Sequence, residues 1–532
     1  MVENNEEQPK KKGISKGIIA IIIAVIVLAG GGAAAFFLTT STPKATYFQA
    51  EKNSIEQLQD FMETRYEDEY NWYEQSMENP VSQNVSLGLN LEGLENQGYI
   101  DPQIAAMLSN AELAFHSETD MENNQTSTEL SVNVAGMNFD GLAGYVEGSD
   151  VYAELPFLEE VLKISDEDIG SVLAEIDPYT FTGNEQLGIE ELMFENDGQL
   201  LTDEEKEYLQ DEYVMFIYDE LPDDAFESEN EDVEVNGDSI SAEKITMNLS
   251  EDQFKSLITS VLEKMKGDEQ FQEILSNQLE RAGSTPLEDP EVFQQQIDEV
   301  LGEFDSAMDQ GIEAVENFQF PDGVQSTLWV SDDKVVQRDF SISLAPENED
   351  PVTFNLSGGQ LFNDDQIYFD HTLTMGDGSE DVTMAFNGDF QGTGDSVTDN
   401  ANFSFSFDDG YMPVEFAGTY TGDESLDGST RDFDRQLQFT VENETINLGW
   451  TGDSTYDGDQ MSSNNNIALD FPGYVENVSM DINSEGAVID AVEGVDTSNV
   501  VDLGAMSAEE LQQYFEGDFS SQLEQWLMQF GL

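Results

Sequence analysis

The chain has 532 residues, of which 39% are apolar and 10% aromatic, and its 112 Asp and Glu against 18 Lys and Arg give a formal net charge of -94. So acidic a chain repels nucleic acid, whose binding needs Lys and Arg to neutralise phosphates, and we predict no nucleic-acid partner. The absence of cysteine excludes disulfides, thiolate nucleophiles and Cys-based zinc sites. The acidic surface over an apolar core indicates either adaptation to a salty or alkaline medium or cation binding.

An uncharged segment of 21 residues lies near the N-terminus, from Ile18 to Leu38. At about 1.5 Å per residue it is long enough to cross the hydrocarbon core of a membrane. Lys10–Lys12 and Lys16 precede it. The positive-inside rule then predicts a cytoplasmic N-terminus over 1–17, a transmembrane helix over 18–38 and an extracellular remainder, in a single-pass cell-membrane protein. A cleaved secretory signal is the alternative, because Ala33–Ala35 offers small residues for cleavage.

The outer part begins with a predicted juxtamembrane helix in residues 39–80, where Thr46–Asn79 is rich in helix formers and stops at Pro80. A first β-rich region follows over 81–249, in which apolar residues alternate with polar ones, as in Val85–Leu91. Gly148 and the Asn236–Gly237 pair predict hairpin turns within it.

The spacing then becomes helical over 250–322, with a capping box at Ser250–Gln253 and a later helix start at Asp289–Pro290. From 323 to 490 the alternation returns and predicts an antiparallel meander, as around Phe403–Phe407. A second capping box, Ser507–Glu510, opens a predicted C-terminal helical tail over 491–532.

Three segments resemble membrane-anchored surface proteins of Bacillus-type bacteria: GYVEGSDVYAELPFLEEVL, KITMNLSEDQFKSLITSVLEKM and STLWVSDDKVVQRDFSISL. Over about 85–345 the order of elements is also similar to half-barrel carriers of the LolA and LprG kind. The resemblance implies an α+β fold, in which curved antiparallel sheets follow an N-terminal transmembrane helix and pack on a central helical region and a C-terminal helix. It also implies a lipid or another apolar ligand, although the lipid-modified cysteine of the lipoproteins is missing.

The only two histidines, His116 and His371, lie in separate alternating segments, and no G-x-S-x-G elbow accompanies them. We predict ordinary sheet positions for both. Some pair among 112 carboxylates must come close together, so a carboxylate-dependent hydrolase is an open alternative. We assign no catalytic, cofactor-binding or metal-binding residue, no cofactor, and no enzymatic activity.

A Thr-Gly-Asp repeat starts at Thr393, Thr421 and Thr451. After Thr421, five residues have the types and the spacing of a calcium-binding loop: Asp423, Ser425, Asp427, Gly428 and Asp434. Asp453, Thr455, Asp457 and Gly458 repeat its beginning. The flanking strands and Arg431 within the loop instead favour hairpin turns at one edge of the sheet.

Leu356–Gln360 reads LSGGQ, like the signature motif of ABC-transporter ATPases. The chain has no Gly-Lys dipeptide and hence no phosphate-cradling loop, so we predict no ATP partner. The alternating Val352, Phe354 and Leu356 predict a strand, with a bulge or kink at the Gly pair.

The leading hypothesis is a single-pass, membrane-anchored extracytoplasmic protein with a non-catalytic binding or cell-envelope role, holding an apolar ligand such as lipid. The alternatives are a cell-envelope hydrolase and an acidic structural surface protein.

Overall fold

The computed structural model describes most of the chain beyond residue 41. The described ranges are 42–91, 101–109, 111–134, 137–177, 179–190, 193–194, 201–283, 290–345, 350–377, 381–408, 414–441, 444–473 and 475–529.

Twenty strands lie within the described ranges. In chain order they are β1 Val81–Asn90, β2 Glu112–Asp120, β3 Gln125–Val134, β4 Met137–Glu147, β5 Asp150–Glu154, β6 Val161–Ser165, β7 Phe226–Val235, β8 Asp238–Leu249, β9 Val324–Ser331, β10 Lys334–Leu344, β11 Val352–Phe362, β12 Gln366–Gly376, β13 Asp381–Gln391, β14 Ser396–Asp408, β15 Val414–Asp427, β16 Thr430–Val441, β17 Glu444–Asp457, β18 Gln460–Phe471, β19 Val475–Val488 and β20 Val500–Asp502.

Twelve α-helices lie within the same ranges. They are α1 Pro43–Arg65, α2 Glu67–Glu78, α3 Pro102–Ser109, α4 Asp166–Ile176, α5 Asp203–Leu209, α6 Met215–Glu220, α7 Glu251–Met265, α8 Glu269–Gly283, α9 Pro290–Gly302, α10 Phe304–Asn317, α11 Ala508–Tyr514 and α12 Ser520–Gln529. A π-helical turn at Gln210–Val214 joins α5 to α6, and another at Phe515–Phe519 joins α11 to α12.

All twenty described strands belong to one sheet. In space, the strands follow chain order from β7 to β19, and β1 lies next to β19. The strands then follow chain order from β1 to β6, and β20 lies next to β6. Every neighbouring pair is antiparallel except β6 and β20, which are parallel. The long-range pair β1–β19 joins the start of the sheet in sequence to its last long strand, from Val81↔Val488 to Asn90↔Ser479.

The predicted fold class is therefore wrong. It expected separate curved sheets in two β-rich regions, packed on a helical region between them. Instead, β8 pairs directly with β9, so α7–α10 are an excursion between neighbouring strands. The pairing of β1 with β19 joins the two regions because open strand edges leave backbone N–H and C=O groups that seek partners.

Helices α1 and α2 cross the sheet at one end of the strands. Ser54 of α1 accepts a 2.9 Å hydrogen bond from the Val335 N–H of β10, and the Trp72 ring of α2 lies over Gly486 of β19. The 18 residues between Ser54 and Trp72 span about 27 Å of helix. The strands that these two helices contact, β10 and β19, are nine spacings apart, and nine spacings of about 4.8 Å would span about 43 Å on a flat sheet. The sheet must therefore curl around the helices.

The main hydrophobic core lies where α1, α6, α7, α8 and α10 pack on β7–β10. Its fully buried members include Ile258, Leu262, Met265, Met308 and Leu328. Helix α7 begins with the predicted capping box, in which the Ser250 Oγ accepts from the Gln253 N–H, so that prediction is confirmed.

Several local predictions are tested by the backbone. Asn236 and Gly237 have φ angles of 53° and 84°, which confirms the two-residue hairpin turn. Leu356–Gln360 lies within β11, as predicted. The register of β11 with β10 and β12 shows no shift at Gly358 or Gly359, so the predicted bulge is wrong. Gly358 is required for another reason: a Cβ there would lie 2.0 Å from the Asp370 carbonyl oxygen.

The predicted membrane span Ile18–Leu38 lies outside the described residues. Among the residues that are described, no helix is both long enough and apolar enough to cross a membrane. The longest, α1, has 23 residues but carries charges such as Lys44, Glu51 and Lys52. No described helix therefore bears out the predicted single-pass arrangement. We do not retain the signal-anchor, the membrane as a partner, the cell-membrane localisation or the anchored function.

The contact between α1 and the sheet makes stability depend on pH at the alkaline end. Burial raises the pKa of Tyr47 to about 12, and the hydroxyl lies 2.6 Å from the Ser326 Oγ. In the unfolded chain this hydroxyl ionises near pH 10. The stabilisation by Tyr47 is thus complete below pH 10 and is lost as pH rises toward 12, by about 2 to 3 kcal/mol.

We expect Tyr47→Phe to remove this part of the pH dependence. The free energy of unfolding, measured by urea titration from pH 9 to 12, should fall less steeply in the variant than in the wild type. Tyr179→Phe, at a fully exposed tyrosine, is the matched control and should leave the slope unchanged. Parallel curves for wild type and Tyr47→Phe would show that Tyr47 is not buried against the sheet.

Candidate binding face

Alternation along the strands divides the sheet into an apolar and a polar face. On β14, Phe403 and Phe405 point to one side while Asn402 and Ser404 point to the other and are exposed. Directly paired residues share a face, so the register carries this division from strand to strand. From Phe403 it runs to Phe386 on β13 and through Gly418 to Phe439 on β16.

The apolar face is continuous across the sheet, but helices cover only parts of it. Helices α1, α7, α8 and α10 cover its part on β7–β10. Helices α1 and α2 cover the row nearest the start of β14, which includes Val397 and Asp399. At the far side, Trp526 of α12 lies 5.8 Å from the Phe139 ring of β4.

Between these covers lies a region that we call the open face. It comprises apolar side chains of β12–β19 and β1 beyond α1 and α2, none of which is fully buried. They are Leu373, Met384, Phe386, Phe403, Phe405, Val414, Phe416, Leu437, Phe439, Val441, Ile446, Leu448, Trp450, Ile467, Leu469, Met480, Leu87 and Leu89.

The exposed fractions on the open face are large for apolar side chains. Phe386 is 45% exposed, Trp450 39% and Val441 40%. Because aromatic side chains offer about 150–250 Å² each, Phe386 and Trp450 alone expose on the order of 150 Å². With their half-buried neighbours they form a patch of several hundred Å², the size at which exposed apolar surface usually marks an interaction site.

Three phenylalanines form the centre of the open face, and we call them the aromatic triad. The ring centroids of Phe403, Phe416 and Phe439 lie 5.5 to 5.9 Å from one another. Gly418 lies beneath the Phe403 ring, where a Cβ would come within 1.9 Å of it. The glycine lets the Phe403 ring lie flat on the sheet, so this ring covers the strand beside it instead of projecting from the surface.

A cluster of ion pairs forms the border between the open face and helices α1 and α2. Arg65 donates to both carboxylate oxygens of Asp399 at 2.7 Å, and both residues are almost fully buried. Arg431 contacts Glu69 of α2 and Glu424 of β15, each at 2.7 Å. We call these five residues the ionic border.

Arg435 extends the ionic border toward the open face. Its guanidinium lies 2.6 Å from Glu424, and it stacks 4.6 Å from the centre of the Trp450 ring. Burial raises the pKa of the Asp399 carboxyl, whereas the neighbouring Arg65 guanidinium lowers this pKa. The cation stabilises a buried carboxylate that would otherwise be costly.

If the protein were a carboxylate-dependent hydrolase, a pair of buried carboxylates would be its candidate active site. Here Asp399 is bound by Arg65 and Glu424 by Arg431 and Arg435. Their charges are already neutralised by arginines that fix the helices to the sheet. The geometry thus assigns these acids a structural role.

Of the residues considered for calcium, Gly428 and Gly458 lie in turns, and the others lie on strands with their side chains on the polar face. Asp423 and Asp434 are directly opposite each other on β15 and β16, and the chain reverses between them at Asp427–Thr430. Asp453 pairs with Asn464 of β18 in the same way and accepts its side-chain hydrogen bond at 3.0 Å. Among the described residues, no group of three or more acids or histidines could hold a metal ion.

The two histidines occupy sheet positions. The His116 Nδ1 lies 2.9 Å from the Asn84 Oδ1 on the polar face. His371 lies on the apolar face, where its ring stacks on Phe369 and its Nε2 lies 3.2 Å from the Gln360 Oε1. Burial lowers the pKa of His371.

Sequence reasoning identified the strands of the open face but missed that they are uncovered. The available signal was the supply of helices: the predicted helical segments before Pro80, before residue 323 and after residue 490 must together cover a much larger number of strands with alternating apolar residues. The ionic border was also missed. Its signal was that Arg431 and Arg435 are the only Lys or Arg between Arg338 and the C-terminus.

No family model matches the chain. No curated protein matches it either.

Comparison with solved structures returns outer-membrane proteins at very low similarity. OmpT of Vibrio cholerae has 7% identity and a TM-score of 0.21, and the match covers 77% of this chain and 98% of that one. OmpF of Salmonella typhi has 8% identity, the same coverages and a TM-score of 0.20. OccAB3 of Acinetobacter baumannii has 6% identity, 77% and 98% coverage and a TM-score of 0.23. At these TM-scores the likeness carries no inference about this chain, and the resemblance to LolA-type carriers stays a prediction.

We expect the loss of one partner from the ionic border to be strongly destabilising, although the pair itself adds little net stability. Arg65→Met should lower the free energy of unfolding by about 3 to 5 kcal/mol, because it leaves Asp399 charged and buried without a partner. Arg65→Met/Asp399→Leu should recover most of that loss. Urea unfolding measures both.

Lys52→Met is the control, because it removes a partly exposed ion pair with Glu56 on the same helix and should cost at most about 1 kcal/mol. If the double variant is as unstable as Arg65→Met, the buried charge of Asp399 is not the cause.

Proposed function

We propose that this protein is a non-catalytic binding protein that holds a polypeptide segment of a partner on its open face. The observation that carries this proposal is the continuous apolar surface around the aromatic triad, with Phe386 45% and Trp450 39% exposed. An acidic protein leaves such a surface uncovered at a cost in solubility. A partner that covers it would remove that cost.

The composition of the open face supports a protein interface. Aromatic residues and methionine are enriched at the centres of such interfaces, and tryptophan and arginine often dominate their energies. The open face contains Phe, Met and Leu, with the Trp450–Arg435 stack at its edge. Its aromatic triad loses little side-chain freedom on binding, because each phenylalanine has only two side-chain torsions.

The shape of the open face favours a polypeptide over a small molecule. Small-molecule sites are usually concave pockets that enclose most of the ligand. The open face lies on the concave side of the curled sheet but is much broader than such a pocket, because it reaches from β12 to β1 over eight strand spacings, about 40 Å measured along the sheet. A cavity of about 480 Å³ lies elsewhere, lined mainly by polar side chains such as Ser82, Asn84, Asp457 and Glu485.

Binding can be tested with a panel of synthetic 20-residue peptides that carry an apolar stripe at helical or at strand spacing, with scrambled versions as controls. Fluorescence anisotropy would measure Kd for the wild type and for Phe386→Ser/Val441→Ser. Both substituted side chains are at least 40% exposed, so folding should be retained, and circular dichroism checks this. We expect at least tenfold weaker binding, which is about 1.4 kcal/mol.

The matched control is Asn402→Ala/Gln438→Ala on the polar face of the same region, whose side chains are also exposed. It should bind like the wild type. The proposal fails if no striped peptide binds, if scrambled peptides bind equally well, or if both double variants behave alike. Binding of neutral phospholipid vesicles in place of peptides would also contradict it.

A further inference from the structure

We infer that the segment held on the open face is a cationic amphipathic helix, which lies beside α1 and α2 and runs across the strands. This inference rests on the proposed function and names the chemistry of the partner. Two independent features support it: the charge around the open face, and the way in which the chain's own helices already use the same surface.

The charge of the surrounding chain is almost wholly negative. Residues 352–488, which include β11–β19, contain 26 Asp and Glu but only two basic residues, Arg431 and Arg435. Both arginines are bound by Glu424 in the ionic border. Residues 66–162, which include α2 and β1–β5, contain no Lys or Arg at all. The open face therefore has no lysine, and its only arginine neighbours are already paired.

Acids also stand at the strand ends that border the open face. Asp408, Glu415 and Glu444 are exposed at the ends of β14, β15 and β17 farthest from α1 and α2. Glu444 is opposite Val441 and lies two residues from Ile446, or about 7 Å along the strand. Of the three, only Glu444 is on the same face as the triad, and Lys or Arg on a bound segment would reach it while the apolar stripe covers the triad. Asp408 and Glu415 alternate to the polar face and act on the segment only through their negative charge at the strand ends. Complementary charge of this kind raises association rates and excludes acidic competitors.

Helix α1 shows how a helix packs on this face. It presents Ala50, Ser54 and Phe61 to the sheet, and each is at most 1% exposed. It ends with Arg65, which reaches a carboxylate of the sheet. The same combination of small or apolar contact residues with a terminal cation is what we assign to the partner.

The dimensions leave room for one more helix. Phe403 is four residues beyond Asp399 on β14, which is about 13 Å along the strand. Helices that pack side by side have axes 8–10 Å apart. A helix next to α1 and α2 would therefore lie over the rows of Ala401 and Phe403, which include Leu437 and Phe439. Its axis would run roughly parallel to theirs.

A charge series tests the inference directly. Three peptides share one apolar helical stripe and differ only in the flanking positions, which are all Lys, all Gln or all Glu. At 50 mM salt we expect the Lys peptide to bind the full chain at least tenfold more tightly than the Gln peptide, and the Glu peptide to bind most weakly. At 500 mM salt the difference between Lys and Gln should shrink to less than threefold, because salt screens the attraction.

Two protein variants show which carboxylates of the protein attract the Lys peptide. Asp408→Asn/Glu415→Gln/Glu444→Gln neutralises the strand ends at the open face and should reduce the preference for Lys over Gln several-fold. Asp427→Asn/Asp457→Asn/Asp459→Asn neutralises three exposed acids in the turns at the opposite strand ends and should have a smaller effect. Circular dichroism should show the Lys peptide becoming helical on binding, and a photoreactive group on its stripe should cross-link to β14–β17.

The outcomes separate this inference from the proposed function. Equal binding of the three peptides, with loss in Phe386→Ser/Val441→Ser, overturns the cationic partner and leaves the binding face intact. Bound peptide without helical signal overturns the helix. Cross-links on the polar face overturn the location. If no peptide binds, the proposed function fails as well.

Discussion

The unbroken antiparallel register is the constraint on which the rest of the structure depends. In a sheet of this kind directly paired residues share a face, and no register shift interrupts the pairing from β11 to β17. The apolar residues of each strand therefore lie beside those of its neighbours, and together they form one apolar face far wider than any single helix can cover. The long-range pair β1–β19 extends this face into the first part of the chain. The open face follows from this: it is the part of the apolar surface that α1, α2, α7–α10 and α12 do not reach.

Electrostatics shapes this surface in two ways. Where helices must be held, buried cations and carboxylates pair directly, as Arg65 does with Asp399 and Arg431 with Glu69. Such pairs contribute little net stability compared with apolar contacts, but they specify where a helix lies, because a misplaced partner leaves a buried charge. Elsewhere the acids remain on the polar face and at strand ends, where water hydrates them. The same acids make the open face selective for positive partners.

Local structure could be predicted from the sequence, whereas the assembly of the sheet could not. The turn at Asn236–Gly237 and the capping box at Ser250 depend on residues within a few positions of each other, and both are confirmed. The pairing of Val81 with Val488 depends on residues about 400 positions apart, for which alternation gives no register. The same limit explains why the strands around Phe403, Phe439 and Trp450 were identified but their exposure was not. Exposure is set by what packs on a face, and that is a property of the whole fold.

The most direct measurement is hydroxyl-radical footprinting of the full chain, with oxidation read by mass spectrometry at matched residues. Trp450 is 39% exposed and Trp329 only 6%, while Phe386 is 45% exposed and Phe61 only 1%. If the open face is uncovered in the free protein, Trp450 and Phe386 should be oxidised several-fold faster than Trp329 and Phe61, and unfolding in urea should remove the difference. Equal protection of Trp450 and Trp329 in the folded chain would contradict an uncovered apolar face.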